Sequence, residues 1–184
     1  MADIEKRAKT KMEHAVDYAR EDLATIRTGR AHPAMFNKLE AEYYGTPTPL
    51  QQLATFTSTD PRSLLITPFD RGAMAAIEKA IRDSDFGVNP SNDGNAIRIV
   101  VPPLTEERRK EYIKLARHKA EEARIAIRNV RRHAIDDLKK LQKEGEISED
   151  ELARAEKAVD ASTKGFVEQI DELLKHKETE LAEV

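Results

Sequence analysis

Apolar residues recur at steps of three and four through the first 27 positions: Ile4, Ala8, Met12, Ala15, Ala19, Leu23 and Ile26. At 3.6 residues per turn this spacing stacks them on one face, so residues 3–27 are predicted as an amphipathic helix that stops at Gly29. The same period returns at Thr105, a candidate N-cap followed by Glu106 and Glu107. It then runs through Tyr112, Ala116, Ala120, Ala123, Ile127, Val130, Ala134, Leu138 and Leu141. No breaker intervenes before Gly145, which predicts a rod about 60 Å long at 1.5 Å per residue. Ser148-Glu149-Asp150-Glu151 reads as a capping box opening a third helix, whose stripe is Leu152, Ala155, Val159, Phe166, Ile170 and Leu173. Gly165 falls inside that helix, and the sequence supplies no reason for it.

The period changes between residues 31 and 104, a stretch that holds all eight prolines. Short β-prone runs occur at Phe36–Tyr44, Leu53–Thr57, Leu64–Thr67 and Ile97–Val101. One helix is predicted among them, from about Gly72 to Asp83, with Met74, Ile77 and Ile81 on a face. Asn92-Asp93-Gly94-Asn95 has strong turn chemistry. Each long helix carries an apolar stripe that it cannot bury alone. The predicted class is therefore α+β: a long antiparallel three-helix bundle built from residues 1–30 and 105–184, with a small α/β domain (β/α/β sandwich-like) inserted as residues 31–104. Two stretches of chain cross the junction, which favours bending about a hinge over free tumbling.

Composition fits thin helical packing: 35% of residues are charged, 5% are aromatic and there is no Trp. The absence of Cys excludes disulfides and thiolate metal sites. No run of about 18 apolar residues is present, so no membrane span is expected, and the N-terminus lacks a signal-peptide pattern. A cytoplasmic protein is the simplest expectation. Catalytic devices are missing as well. His14, His32, His118, His133 and His176 show no zinc-site spacing, His32-Pro33 reads as a turn, and no G-x-S-x-G, G-x-G-x-x-G or G-x-x-x-x-G-K occurs. Acidic pairs such as Glu121-Glu122 and Asp136-Asp137 point about 100° apart on a helix and do not converge. Neither an enzyme nor a cofactor is expected.

The distribution of charge says more about function than composition does. Residues 108–132 hold ten Lys/Arg against three acids in a chain of net charge -3, so the remainder carries -10. At 100° per residue Arg117, Arg124, Arg128 and Arg131 fall within about 60° of one another, roughly 90° from the apolar stripe. Arg109 lies nearer the stripe edge and Arg132 on the far side of the row. Guanidinium groups on a rod suit bidentate contact with phosphates. The competing reading is a set of salt bridges to the third helix, since Gly145–Val184 holds twelve acids and five Lys/Arg. Few aromatics interleave with the row and Tyr112 and Phe166 are expected in the core, so contact with the backbone of structured RNA fits better than base stacking.

Several motifs in order carry a family resemblance. Ile26-Arg27-Thr28-Gly29-Arg30, Glu42-Tyr43-Tyr44-Gly45-Thr46-Pro47-Thr48-Pro49-Leu50, Asn89-Pro90 through Ile97-Arg98, Pro102-Pro103-Leu104-Thr105-Glu106-Glu107-Arg108-Arg109-Lys110, Arg128-Asn129-Val130-Arg131-Arg132 and Ile147-Ser148-Glu149-Asp150 closely resemble bacterial ribosome recycling factor. Beyond Asp150 the third helix matches only in pattern. The resemblance implies an L-shaped monomer without a catalytic centre. Such a protein binds the ribosome after termination and, with elongation factor G and GTP hydrolysis, separates the subunits. The bundle is expected on large-subunit ribosomal RNA, with no DNA or membrane partner. By motif, Arg109, Arg128 and Arg131 are expected as the principal RNA contacts, supported by Arg132 and Arg27, while Arg117 and Arg124 join them from the row geometry. Arg30, Pro102, Pro103 and Leu104 are expected to form the hinge. The alternative from another class is a structural or chaperone-like helical hairpin that clamps protein partners.

Overall fold

In a computed structural model, residues 1–183 are described, and they divide into two compact units: Met1–Ile26 with the chain from Glu106 onward, and Arg27–Thr105. The first unit is three helices, α1 (Ala2–Ala24), α4 (Glu106–Lys143) and α5 (Glu149–Ala182). The predicted stripes form its core. Ala8, Met12, Val16 and Ala19 of α1 meet Ala120, Ala123, Ile127, Ala134 and Leu138 of α4 and Ala155, Val159, Phe166 and Ile170 of α5. Small alanines along all three seams let the rods approach closely, with Met12, Ile127, Leu138 and Ile170 filling the gaps at 0% exposure.

The helix ends follow local chemistry. α1 stops three residues before the predicted 27, where the Thr25 hydroxyl donates to the Asp22 carbonyl at 2.6 Å and competes with a further helical turn. α5 opens on the capping box read from sequence: the Ser148 hydroxyl accepts from the Glu151 N–H at 3.1 Å, and the Ser148 N–H donates to the Glu151 carboxylate at 3.3 Å. Gly165 stays helical, and a Cβ built on it meets nothing within 4 Å. Nothing inside the chain therefore requires glycine. Gly165→Ala is expected to stabilise the bundle by about 0.5–1 kcal/mol, read as a higher urea midpoint at unchanged m-value. A lower midpoint would show that the position needs glycine for a reason internal to the fold.

The second unit follows a different logic. Where a strand is predicted from Phe36, the chain first makes a 3₁₀ turn, Pro33–Phe36, because Pro33 presets its first φ and the His32 ring nitrogen caps it by accepting from the Ala34 N–H at 3.1 Å. β1 (Glu40–Tyr43) and β2 (Thr46–Pro49) then form a hairpin, Glu40 facing Pro49 and Tyr43 facing Thr46. The turn residues Tyr44 and Gly45 have φ of 50° and 77°, the pair of positive values that a two-residue type I′ turn needs. One helical turn, α2 (Leu50–Leu53), leads into β3 (Ala54–Asp60) and β4 (Ser63–Pro68). A 3₁₀ turn at Arg71–Ala73 precedes α3 (Met74–Arg82), and β5 (Ser91–Asn92) and β6 (Ile97–Val100) complete an antiparallel sheet of order β3-β4-β6-β5.

Alternation on β4 and β6 turns Leu64, Ile66, Ile97 and Ile99 into the core, where they meet Ile77 and Ile81 of α3 and Ala41 of β1. Phe36 sits among them at 0% exposure, stacked on Phe56 with centroids 5.8 Å apart and edge-on to Phe86 at 5.3 Å. The hairpin is pinned to the loop before α3 by the Tyr43 hydroxyl, which donates to Asp70 at 2.7 Å. That bond, with burial adding to it, pushes the Tyr43 pKa up to about 12; the same bond and the Gly72 N–H hold Asp70 below the usual carboxylate value. The contact thus weakens as Asp70 protonates in acid and again as Tyr43 ionises in strong base.

Candidate nucleic-acid interface

Pro102 and Pro103 follow β6 in chain without regular secondary structure, and α4 then begins with two acids, Glu106 and Glu107, in its first turn. From there 38 residues without Gly or Pro hold the basic face at a fixed pitch. Arg117, Arg128, Arg131 and Arg132 are exposed, whereas Arg109 and Arg124 are half-buried. The row read from sequence thus exists as a geometric object, but its members differ in depth.

Their partners separate them further. The Arg131 Nε–H donates to Asp160 at 2.6 Å and the Arg117 Nε–H to Glu178 at 2.8 Å, both acids on α5. Arg128 approaches Glu121 of its own helix at 3.5 Å, the outer limit of a hydrogen bond. Arg124 engages Asp171 through Nε at 2.8 Å and Nη2 at 2.7 Å, and Glu121 through Nη1 at 3.1 Å. Burial works against its charge, but the bonds to Asp171 and Glu121 outweigh burial and raise its pKa above the ordinary arginine value. Salt bridges to the third helix are therefore real for Arg117, Arg124 and Arg131. At exposed sites they contribute only about 0–1 kcal/mol each.

Arg27 stands apart from the row. It belongs to the sheet unit, where its guanidinium lies 5.5 Å from the centroid of Phe86 in a cation–π contact. Arg30, Pro102 and Pro103 are exposed and Leu104 is half-buried. Gly29, at φ 75°, brings its own strand of chain against Leu104, since a Cβ there would stand 3.3 Å from the Leu104 nitrogen. The two stretches assigned to the hinge therefore lie side by side.

Two features of this face were not read from sequence. Lys119 donates to Asp22 at 2.6 Å with both side chains about three-quarters buried, a clip between α4 and α1. Ile125 is 49% exposed amid Glu121, Glu122, Arg128 and Asn129, an apolar side chain on the outward surface. The periodicity carried a signal for Ile125, which falls off the apolar stripe; Lys119 had none. His118 pairs with Glu122 at 3.0 Å and His176 with Glu180 at 2.8 Å, while His14 and His133 are exposed. Among the described residues no group of His, Asp and Glu is placed to hold a metal ion, and no helix is long and apolar enough to cross a membrane.

The surface can therefore present several guanidinium groups along a rigid rod to a polyanion. Comparison with known proteins shows the family. The family model described as ribosome recycling factor matches residues 19–181. The ribosome-recycling factor of Cutibacterium acnes is 65% identical over 184 residues, covering 100% of both chains, and that of Acidothermus cellulolyticus is 64% identical over 177 residues, 96% of each. Among solved structures, a solution structure of the ribosome recycling factor superposes with TM-score 0.81 at 39% identity, covering 100% of this chain and 97% of the other. A second similar chain, 48% identical with TM-score 0.70 over 99% of this chain and 98% of its own, comes from models for the T. thermophilus ribosome recycling factor and E. coli elongation factor G bound to the E. coli post-termination complex.

Proposed function

Because this chain belongs to the ribosome recycling factor family, we propose that it binds the ribosome after termination and, with elongation factor G and GTP hydrolysis, separates the subunits for reuse. The observation that carries the binding half of this reading is the outward face of α4, where Arg117, Arg128, Arg131 and Arg132 are exposed along one rigid rod. Phosphate groups of large-subunit ribosomal RNA are the complementary partner, because guanidinium forks match phosphate oxygens bidentately and need no base sequence. Arg109 extends the same helix toward its start. The protein acts as a cytoplasmic monomer and catalyses nothing itself; the energy for splitting comes from the GTPase.

Arg30 and Pro102–Leu104 serve in this reading as the hinge that transmits that force. Pro103→Gly is expected to impair subunit splitting more than ribosome binding, because it loosens a stiff connection without touching the arginine face. Equal losses in a splitting assay and a binding assay would count against the hinge.

The binding reading is tested by cosedimentation with vacant ribosomes across a salt series. Each neutralised phosphate contributes roughly -0.7 to -0.9 to the slope of log K against log salt. Several phosphate contacts therefore give steep salt dependence. Binding that is indifferent to salt would instead favour a helical hairpin clamping a protein partner.

A further inference from the structure

Arg131 and Arg117 are each held from α5 by a single acid. Asp160 takes the Nε–H of Arg131 at 2.6 Å, and Glu178 takes the Nε–H of Arg117 at 2.8 Å. Neither guanidinium engages a second acid among the described residues, and the two arginine side chains are 45% and 64% exposed. Arg124 contrasts with both. Its Nε, Nη1 and Nη2 are all engaged, by Asp171 and Glu121, and its side chain is 18% exposed. A guanidinium offers a planar fork on more than one edge, so an acid on Nε fixes the plane of the group without consuming the terminal edge.

We propose that Asp160 and Glu178 are positioning residues, which grip Arg131 and Arg117 by Nε and so present the Nη1–Nη2 edges to phosphates of the RNA, while Arg124 is a strut that makes no phosphate contact. This rests on the reading of α4 as the ribosomal-RNA face. Its physical content is a sign. An acid on a surface that meets a polyanion repels it, so charge alone makes removal of Asp160 strengthen binding. Pre-ordering makes removal weaken binding, because a free arginine must then surrender rotamer entropy on contact, about 0.5–1.5 kcal/mol.

The test is affinity for vacant ribosomes at fixed ionic strength, measured for the full chain and for Asp160→Ala, Asp160→Asn, Arg131→Ala and the double variant Asp160→Ala with Arg131→Ala. Asp160→Asn removes the same charge as Asp160→Ala but keeps an oxygen that can accept from Nε. Asp160→Ala is expected to weaken binding roughly two- to tenfold, the range that this entropy corresponds to. Asp160→Asn is expected to hold binding near wild type, and Asp160→Ala to have no added effect once Arg131 is gone. Alanine improves helix propensity at this exposed site, so loss of fold does not mimic the result. If the alanine and asparagine variants behave alike, or Asp160→Ala tightens binding, the acid is not a positioning group. If the wild type shows no salt-sensitive binding, or Arg131→Ala leaves it unchanged, the RNA reading itself fails and takes this inference with it.

Discussion

Replacing Arg131 with alanine is expected to weaken ribosome binding by about 1–3 kcal/mol, roughly 5- to 150-fold, while leaving the fold almost unchanged. The two halves of this expectation have separate causes. Binding suffers because the lost group is an exposed charged donor that engages a single acid and can still reach an incoming phosphate. Stability is spared because the Arg131–Asp160 pair is 45% and 51% exposed, where an ion pair contributes only about 0–1 kcal/mol. Cosedimentation and thermal melting on the same preparation separate the outcomes. Undiminished binding with a lower melting temperature would make this arginine a structural brace and return the row to ordinary helix pairing.

Phe36→Ala should have the largest effect on stability, about 3–5 kcal/mol for the sheet unit. The ring is fully buried, and its removal also deletes the stacked contact with Phe56 and the edge contact with Phe86. Domain stabilities are only about 5–15 kcal/mol, so most of the margin goes. The two units have separate hydrophobic cores, hence the loss should appear in one and not the other. Hydrogen exchange resolves this: amides of β4 and β6 should lose protection while those of α4 and α5 keep theirs. Uniform loss across the chain would mean that the two cores melt as one.

The long helices were legible because a period of 3.6 sustained over dozens of residues has few alternative explanations. β4 and β6 were legible only as β-prone runs, Leu64–Thr67 and Ile97–Val101; that Leu64, Ile66, Ile97 and Ile99 face inward came from the structure. What escaped was decided by rules that propensity opposes. β2 carries Pro47 and Pro49, residues that argue against a strand, and forms because its hairpin lies in a sheet of only two strands where missing donors can face away from β1. β5 is two residues long, below what any alternation can reveal. The angular position of the arginine row could be computed from helix geometry alone. Its pairing could not, because which acid meets which arginine depends on the axial stagger of α4 against α5. The pairs run in opposite chain directions, Arg131 with Asp160, Arg124 with Asp171 and Arg117 with Glu178, a pattern recognisable once the helices are known to be antiparallel. Arg27 over Phe86 joins residues far apart in sequence and left no local trace.

The discontinuity of the bundle has a consequence for the protein's own birth. α1 leaves the synthesising ribosome first, and α4 begins only at Glu106, after the whole sheet unit has been made. At about 5–20 residues per second that interval is roughly 4–16 s, during which Met12, Val16 and Leu23 have no partner. Nascent chains stalled before α4 should therefore be cleaved by protease within α1, and chains stalled after α5 should not. The sheet unit, by contrast, is contiguous and can close as soon as β6 emerges. The growing polypeptide thus carries a closed sheet unit while α1, made before it, still waits for α4.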